Sequence, residues 1–142
     1  MTPAPDDTYS PAAFFARTLD ARLQEAQRLW AALEQGGFRD GMILVLDFTL
    51  FGQDADAAAA IAARLEGTYQ TEVRALEPGG WMLVGTTRPY GSRFTQDKLR
   101  DWVRFVADLA AAHGFVFSLW SVEVPATGAV LASESFEAPP AA

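Results

Sequence analysis

The chain has 142 residues, of which 50% are hydrophobic, and its formal net charge is −7 at pH 7. A chain of this length can bury one core but is too short for two ordinary domains. The negative charge disfavours nucleic acid and anionic membranes as partners. The absence of cysteine excludes disulfides, catalytic thiolates and thiolate zinc sites.

Targeting and membrane-spanning segments are not expected from the sequence. The first residues hold neither a basic region nor an apolar run. No stretch of the chain approaches the roughly 20 apolar residues that a membrane span needs. We therefore expect a soluble cytoplasmic protein that does not bind a membrane and that carries no metal and no cofactor.

The first predicted element is an amphipathic helix over residues 11–37, which follows a solvated lead-in over residues 1–10. Ser10 is placed to cap this helix, and Pro11 stands at the first helical position, where its missing N–H costs nothing. Apolar residues then recur at steps of three and four until Gly36-Gly37 ends the pattern. Such a helix must cover another apolar surface.

Residues 42–51 are rich in β-forming residues and predict a strand with two different faces. One face is apolar throughout. The other face begins with Ile43 and Val45 and becomes polar at Asp47 and Thr49. Half of this second face therefore also needs cover, and the first helix is a candidate for that role.

A second helix and a hairpin are predicted next. Asp54 or Asp56 can cap the helix, whose apolar stripe consists of small residues suited to close packing on a sheet. Residues 69–76 alternate between apolar and polar side chains, which is typical of an edge strand. Pro78-Gly79-Gly80 predicts a turn, so residues 81–87 form the returning strand of a hairpin.

The last predicted elements are a helix and a strand. Residues 88–94 are predicted as a loop, and Thr95 caps the long helix that follows it. Residues 115–124 form the final strand, which Pro125 ends. Residues 125–142 are predicted as a tail that becomes ordered only on contact.

The order strand, helix, strand, strand, helix, strand over residues 41–124 predicts an α+β fold. The simplest topology is ferredoxin-like βαββαβ, an antiparallel sheet of order 4-1-3-2 in the chain numbering of those strands, with an extra N-terminal helix. Its two crossover helices cover one sheet face. We expect the other face to be apolar and to be covered by the first helix or by a second subunit, which makes a homodimer an alternative.

Two single residues are candidates for chemistry. His113 is the only histidine, so any imidazole-dependent dyad would depend on it, but its place at a helix end favours a structural role. Asp47 lies inside an apolar strand, so a general-base role is conceivable. The simpler interpretation of Asp47 is a carboxylate at the solvated end of its strand. We therefore predict no catalytic and no metal-binding residues.

Five of the 11 basic residues lie within the seventeen positions from Arg88 to Arg104. Those on the helix stand three or four residues from aspartates, so a solvated helix face explains them. The loop residues are less easily explained, and arginine and aromatic residues are frequent at contact hot spots. The sequence therefore predicts a partner-binding loop that contains Arg88, Tyr90, Arg93 and Phe94.

Over residues 41–124 the chain resembles the ribonuclease E inhibitor family of RraB-like regulators of ribonuclease activity. The matching features are the opening strand over residues 44–51, the alanine-rich helix after it, the Gly79-Gly80-Trp81 hairpin, and a long helix leading to an aromatic strand with Trp120. The resemblance implies a non-catalytic protein that binds another protein, with a ribonuclease as the candidate partner. Trp120 joins the predicted partner-binding residues.

Two further hypotheses come from other functional classes. One is a small-molecule-binding protein or enzyme of the dimeric α+β barrel kind, with a pocket lined by Phe48, Trp81 or Trp120. The other is nucleic-acid binding that begins at Arg88 and Arg93, which the net charge disfavours.

Overall fold

The computed structural model describes residues 11–133. The Ser10 cap, the predicted lead-in and the end of the predicted tail lie outside these residues. The described part is an α+β fold in which three helices accompany a sheet. The helices are α1 (Pro11–Gln35), α2 (Ala55–Leu65) and α3 (Gln96–Ala112), and the strands are β1 (Ile43–Gly52), β2 (Gln70–Ala75), β3 (Trp81–Thr86), β4 (Ser92–Arg93), β5 (Val116–Val124) and β6 (Ala129–Ala132).

The sheet is antiparallel, and its strands stand in the order β2-β3-β1-β5-β6. The short strand β4 pairs with the first residues of β1. The four predicted strands are β1, β2, β3 and β5, and they stand in the order β5-β1-β3-β2, which corresponds to the predicted 4-1-3-2. The whole sheet differs from the prediction because it also contains β4 and β6. Strand β6 lies in the segment predicted as a tail, and β4 lies in the segment predicted as a loop. Both are too short to produce a periodic apolar pattern.

Local side-chain chemistry sets the helix boundaries. Asp54 Oδ1 accepts a hydrogen bond from the Asp56 N–H at 2.9 Å and caps α2, while Thr95 Oγ1 accepts from the Lys98 N–H at 3.1 Å and caps α3. Helix α1 ends at Gln35, and Gly37, with φ 99°, then brings the Phe38 N–H to the Leu33 carbonyl at 2.9 Å.

All three helices contribute to one core on a single face of the sheet. Helix α1 packs against α3 and the adjacent β5, and its buried Trp30 meets the Phe38 ring edge-on at 5.1 Å. The expectation that α1 covers the opposite sheet face is therefore wrong. None of the helices within residues 11–133 is both long and apolar enough to span a membrane.

The centre of the core is the Phe48 ring on β1. It makes edge contacts with Tyr69, Trp102 and Phe117 at centroid distances of 5.5, 5.8 and 6.4 Å. On β3 the ring faces Gly85, where an added Cβ would lie 2.3 Å from Phe48 Cζ. Because Phe48 is enclosed by three other aromatic rings, it cannot move aside for a side chain at position 85.

We expect Gly85→Ala to destabilise the fold by about 2 to 3 kcal/mol, because the new methyl group overpacks the core. Gly79→Ala is the matched control, since an added Cβ there meets no atom within 4 Å. Urea unfolding measures both variants, and equal stabilities would contradict this account of Gly85.

Tyr69 provides a pH-dependent contribution to stability. Burial raises the pKa of its hydroxyl above the ordinary value of 10.0, while the hydrogen bond from Trp102 Nε1 at 3.0 Å acts in the opposite direction. The folded state thus binds the Tyr69 proton more tightly than the unfolded state does. This contribution is complete below pH 10 and is lost as the pH rises through the folded-state pKa.

We therefore expect the free energy of unfolding to decrease above about pH 10, with a slope from this group of at most about 1.4 kcal/mol per pH unit. Tyr69→Phe should flatten that decrease. Denaturant unfolding between about pH 8 and 11 measures the slope, and the same slope in both proteins would show that Tyr69 does not cause it.

Candidate functional site on the open sheet face

A one-residue bulge in β5 determines which side chains reach each face of the sheet. Thr49 pairs with Leu119, but the next residue of β1, Leu50, pairs with Phe117, so Ser118 is the additional residue. The bulge moves Trp120 to the helix-covered face, where it is 3% exposed. Regular alternation along β5 stops at Ser118, so Trp120 and Val116 lie on opposite faces of the sheet.

Helix α1 holds this bulge in place with a buried charged group. Arg22 Nη1 donates hydrogen bonds to the carbonyl oxygens of Phe117 and Ser118. Arg22 Nε lies 2.9 Å from Glu25 Oε1 as an ion pair, with its N–H not directed at that oxygen. The same oxygen accepts a hydrogen bond from Trp120 Nε1 at 2.9 Å. The side chains of Arg22 and Glu25 are only 12% and 4% exposed, so their charges depend on each other.

We expect Arg22→Met to destabilise the protein by about 3 kcal/mol, because it leaves the Glu25 charge buried without its partner. Glu25→Gln should cost less, since an amide oxygen can still accept from Trp120. Arg17→Met, at an exposed position of the same helix, is the control and should change stability by less than about 0.5 kcal/mol. Urea unfolding tests this, and equal losses for Arg22→Met and Arg17→Met would contradict it.

The face of the sheet opposite the helices carries three cross-strand rows of side chains. Successive rows are two residues apart along β1, which is about 6.6 Å. We name them by composition. The polar row is Gln70, Thr86, Asp47 and Ser121; the middle row is Glu72, Val84, Thr49 and Leu119; and the apolar row is Met82, Phe51 and Val116.

This open face forms a shallow groove of about 580 Å³ over the polar and middle rows. Nothing within residues 11–133 covers it, because α1, α2 and α3 all pack on the opposite face. Above the polar row the β3–β4 loop folds over β1, and Val45 is only 2% exposed there. Charged and hydroxyl groups lie beside Val84 and Leu119, so the face mixes polar and apolar side chains. The sequence had suggested a uniformly apolar face.

Arg88 belongs to the β3–β4 loop and lies beside the polar row, next to Asp47. Its Nη2 donates to Asp47 Oδ2 and to Glu123 Oε1, both at 3.1 Å. Both hydrogen bonds raise the pKa of Arg88, and the one to Glu123 makes the largest contribution. At the β2 edge Glu72 pairs with Arg74 at 2.8 Å, and the hydrogen bond from Arg74 lowers the pKa of Glu72.

The structure separates the five residues predicted to bind a partner. Arg88 lies at the open face, and Tyr90 in the same loop is 85% exposed. Arg93 donates to the Gly41 carbonyl at 2.9 Å and lies on the strand β4. Phe94 and Trp120 are each 3% exposed and belong to the buried core, which leaves almost no side-chain surface for the predicted partner contact. The centroid of the Phe94 ring also lies 4.8 Å from Lys98 Nζ.

The other candidate residues have structural positions. His113 is the C-cap of α3. The rings of Phe48, Trp81 and Trp120 lie on the helix-covered side of the sheet, although Phe48 and Trp120 are also among the residues that line the groove on the open face. Among residues 11–133, no three histidine, aspartate or glutamate side chains come together to hold a metal ion.

Sequence reasoning missed the residues that form the groove floor, chiefly Leu119 and Ser121. Their position depends on the bulge, and Ser118 carries no glycine or proline signal that would reveal it. Thr49 and Asp47 were correctly placed on the partly polar face of β1. Comparison with protein-family models and with curated proteins finds no match for this chain.

Proposed function

We propose that this chain is a non-catalytic regulatory protein of RraB-like type, which binds another protein through the open face of its sheet. A ribonuclease is the candidate partner. The observation that carries the proposal is the groove over the polar and middle rows, on a sheet face that no described helix covers.

The composition of the open face supports protein binding. Phe51, Met82 and Val116 are all partly exposed in the apolar row, and Val84 and Leu119 continue this surface into the groove. Ion pairs border it at Arg88 and at Arg74. Partly exposed apolar side chains next to polar and charged ones are a usual composition of a protein interface.

The resemblance to RraB-like proteins supports the regulatory part of the proposal. Its matching segments occupy, in chain order, β1, α2, the β2–β3 hairpin, and α3 followed by β5. We also propose that these elements form a ferredoxin-like unit, to which α1, β4 and β6 are added. The order β5-β1-β3-β2 is consistent with this topology.

The contacts of Asp47 and His113 support a non-catalytic role. Asp47 is held in an ion pair with Arg88 at 3.1 Å, which opposes its use as a free general base. His113 ends α3, where an imidazole has an ordinary capping role. Each of the two residues that the sequence offered for chemistry therefore has a structural explanation.

Small-molecule binding is a second candidate, and the size of the groove is the observation that favours it. A volume of about 580 Å³ falls within the range of about 300 to 1,000 Å³ that is usual for ligand pockets. A thermal-shift screen separates the two functions, since a ligand of the groove stabilises the folded state by mass action. A metabolite whose effect is lost in an open-face variant would favour this second candidate.

The regulatory proposal predicts that the protein slows RNA cleavage by a purified ribonuclease E-type endoribonuclease. Leu119→Glu should reduce this inhibition at least about tenfold, because it places a charge in the middle of the groove floor. The rate of cleavage of a fluorogenic RNA, measured against inhibitor concentration, gives the apparent affinity.

Phe105→Glu is the matched control, because Phe105 is a partly exposed apolar residue on α3, away from the open face. It should inhibit as the unmodified protein does, and unfolding measurements establish that both variants are folded. Inhibition that survives Leu119→Glu would contradict the open face as the binding surface. No inhibition and no complex with the enzyme would contradict the ribonuclease as partner.

A further inference from the structure

The open face carries an excess of negative charge next to its polar row. Arg88 contacts one oxygen of Asp47 and one oxygen of Glu123. Two carboxylates against one guanidinium leave a net charge of −1. The remaining oxygens, Asp47 Oδ1 and Glu123 Oε2, accept no hydrogen bond within residues 11–133, and neither does the neighbouring Ser121 hydroxyl. This end of the face can therefore accept hydrogen bonds from a second cation.

The charge also discriminates between possible occupants of the face. A second copy of the chain brings another −7 and presents the same acidic end of the groove, so self-association is opposed by repulsion. A phosphate backbone is repelled for the same reason. A partner segment with lysine or arginine complements the face.

The backbone N–H and C=O groups of a segment bound to this face also need hydrogen-bond partners. A segment that lies across the face of a sheet, and not along its edge, finds only side chains below it. The polar side chains that line the groove include Asp47, Thr49, Gln70, Glu72, Thr86 and Ser121, but they do not supply the regular series of donors and acceptors that a neighbouring strand would. An extended peptide would leave most of its N–H and C=O groups without protein partners on that side, whereas a helix satisfies them internally.

We propose that the open face binds a basic amphipathic helix of the partner protein, with its cationic side chain at Asp47 and Glu123. This inference rests on the proposed function, since it specifies the partner segment for the same surface. The helix would add a layer to a sheet that is already covered by helices on its other face.

The spacing of the rows defines the sequence pattern of such a helix. Successive rows are about 6.6 Å apart, and four helical residues rise about 6 Å. A lysine or arginine at position i over the polar row therefore places i+4 over Val84 and Leu119. Position i+8 then lies over the apolar row at Phe51. The predicted partner has a cation at i and apolar residues at i+3 or i+4 and at i+7 or i+8.

The test uses stapled helical peptides of about 20 residues with leucine at the two apolar positions. One peptide carries lysine at position i, and its counterpart carries glutamate there. Fluorescence anisotropy with the full chain should show binding of the lysine peptide at least about tenfold tighter than that of the glutamate peptide at low ionic strength. The preference should decrease at about 0.5 M salt, because the charges lie at a solvated surface.

Variants of the chain separate charge recognition from damage to the fold. The double variant Asp47→Asn with Glu123→Gln should remove most of the preference for lysine. Arg88→Met should strengthen binding of the lysine peptide about threefold or more, because both carboxylates lose their internal partner. A gain in affinity is not expected from loss of structure. Asp101→Asn, at an exposed position of α3, removes one negative charge elsewhere and should leave the preference unchanged.

Equal affinity for the lysine and glutamate peptides would overturn the inference, as would a lysine preference that survives the double variant. A dimer in sedimentation that Leu119→Glu dissociates would assign the face to a second copy and also overturn it. These outcomes leave the proposed function intact if Leu119→Glu still abolishes ribonuclease inhibition. The proposed function alone fails if the peptide preference is found but no ribonuclease is inhibited.

Discussion

The contact of Arg22 with the β5 bulge is the constraint on which the two faces of the sheet depend. Strand β5 carries one residue more than its pairing with β1 requires, and the carbonyl groups at that point are held by a guanidinium from α1. Because Glu25 balances this charge and accepts from Trp120, one buried group fixes the bulge, the position of α1 and the orientation of the largest side chain of β5.

The same contact explains why the helices gather on one side. Trp120 and Phe117 both face the core, where the Trp102 ring lies 5.6 and 5.9 Å from their rings. Helix α1 can reach Ser118 from that side only if it packs against α3. The opposite face mixes Thr49, Ser121 and other polar groups with its apolar side chains, so it attracts α1 less strongly than the more apolar helix-covered face does.

Periodic elements were predictable from the sequence, while features set by tertiary contacts were not. Helix α1 follows from apolar steps of three and four, and α2 and α3 begin after capping side chains at Asp54 and Thr95. Strand β6 and the bulge carry no local signal, because both are stabilised by pairing with distant residues. Phe94 resembled an exposed loop aromatic, yet it packs into the hydrophobic core.

The bulge has a consequence for how substitutions along β5 should be interpreted. Before Ser118 the odd-numbered Phe117 faces the interior, whereas after it the even-numbered Trp120 and Val122 do so. The strand thus consists of two halves of opposite parity, since inward-facing residues have odd numbers in the first half and even numbers in the second. Deletion of Ser118 would remove the additional residue and leave both halves in regular alternation with their present inner and outer surfaces. Pairing of β5 at its present length without the bulge would instead exchange the inner and outer surfaces of one half. Tolerance to changes of length here is therefore governed by parity and not by solvent exposure.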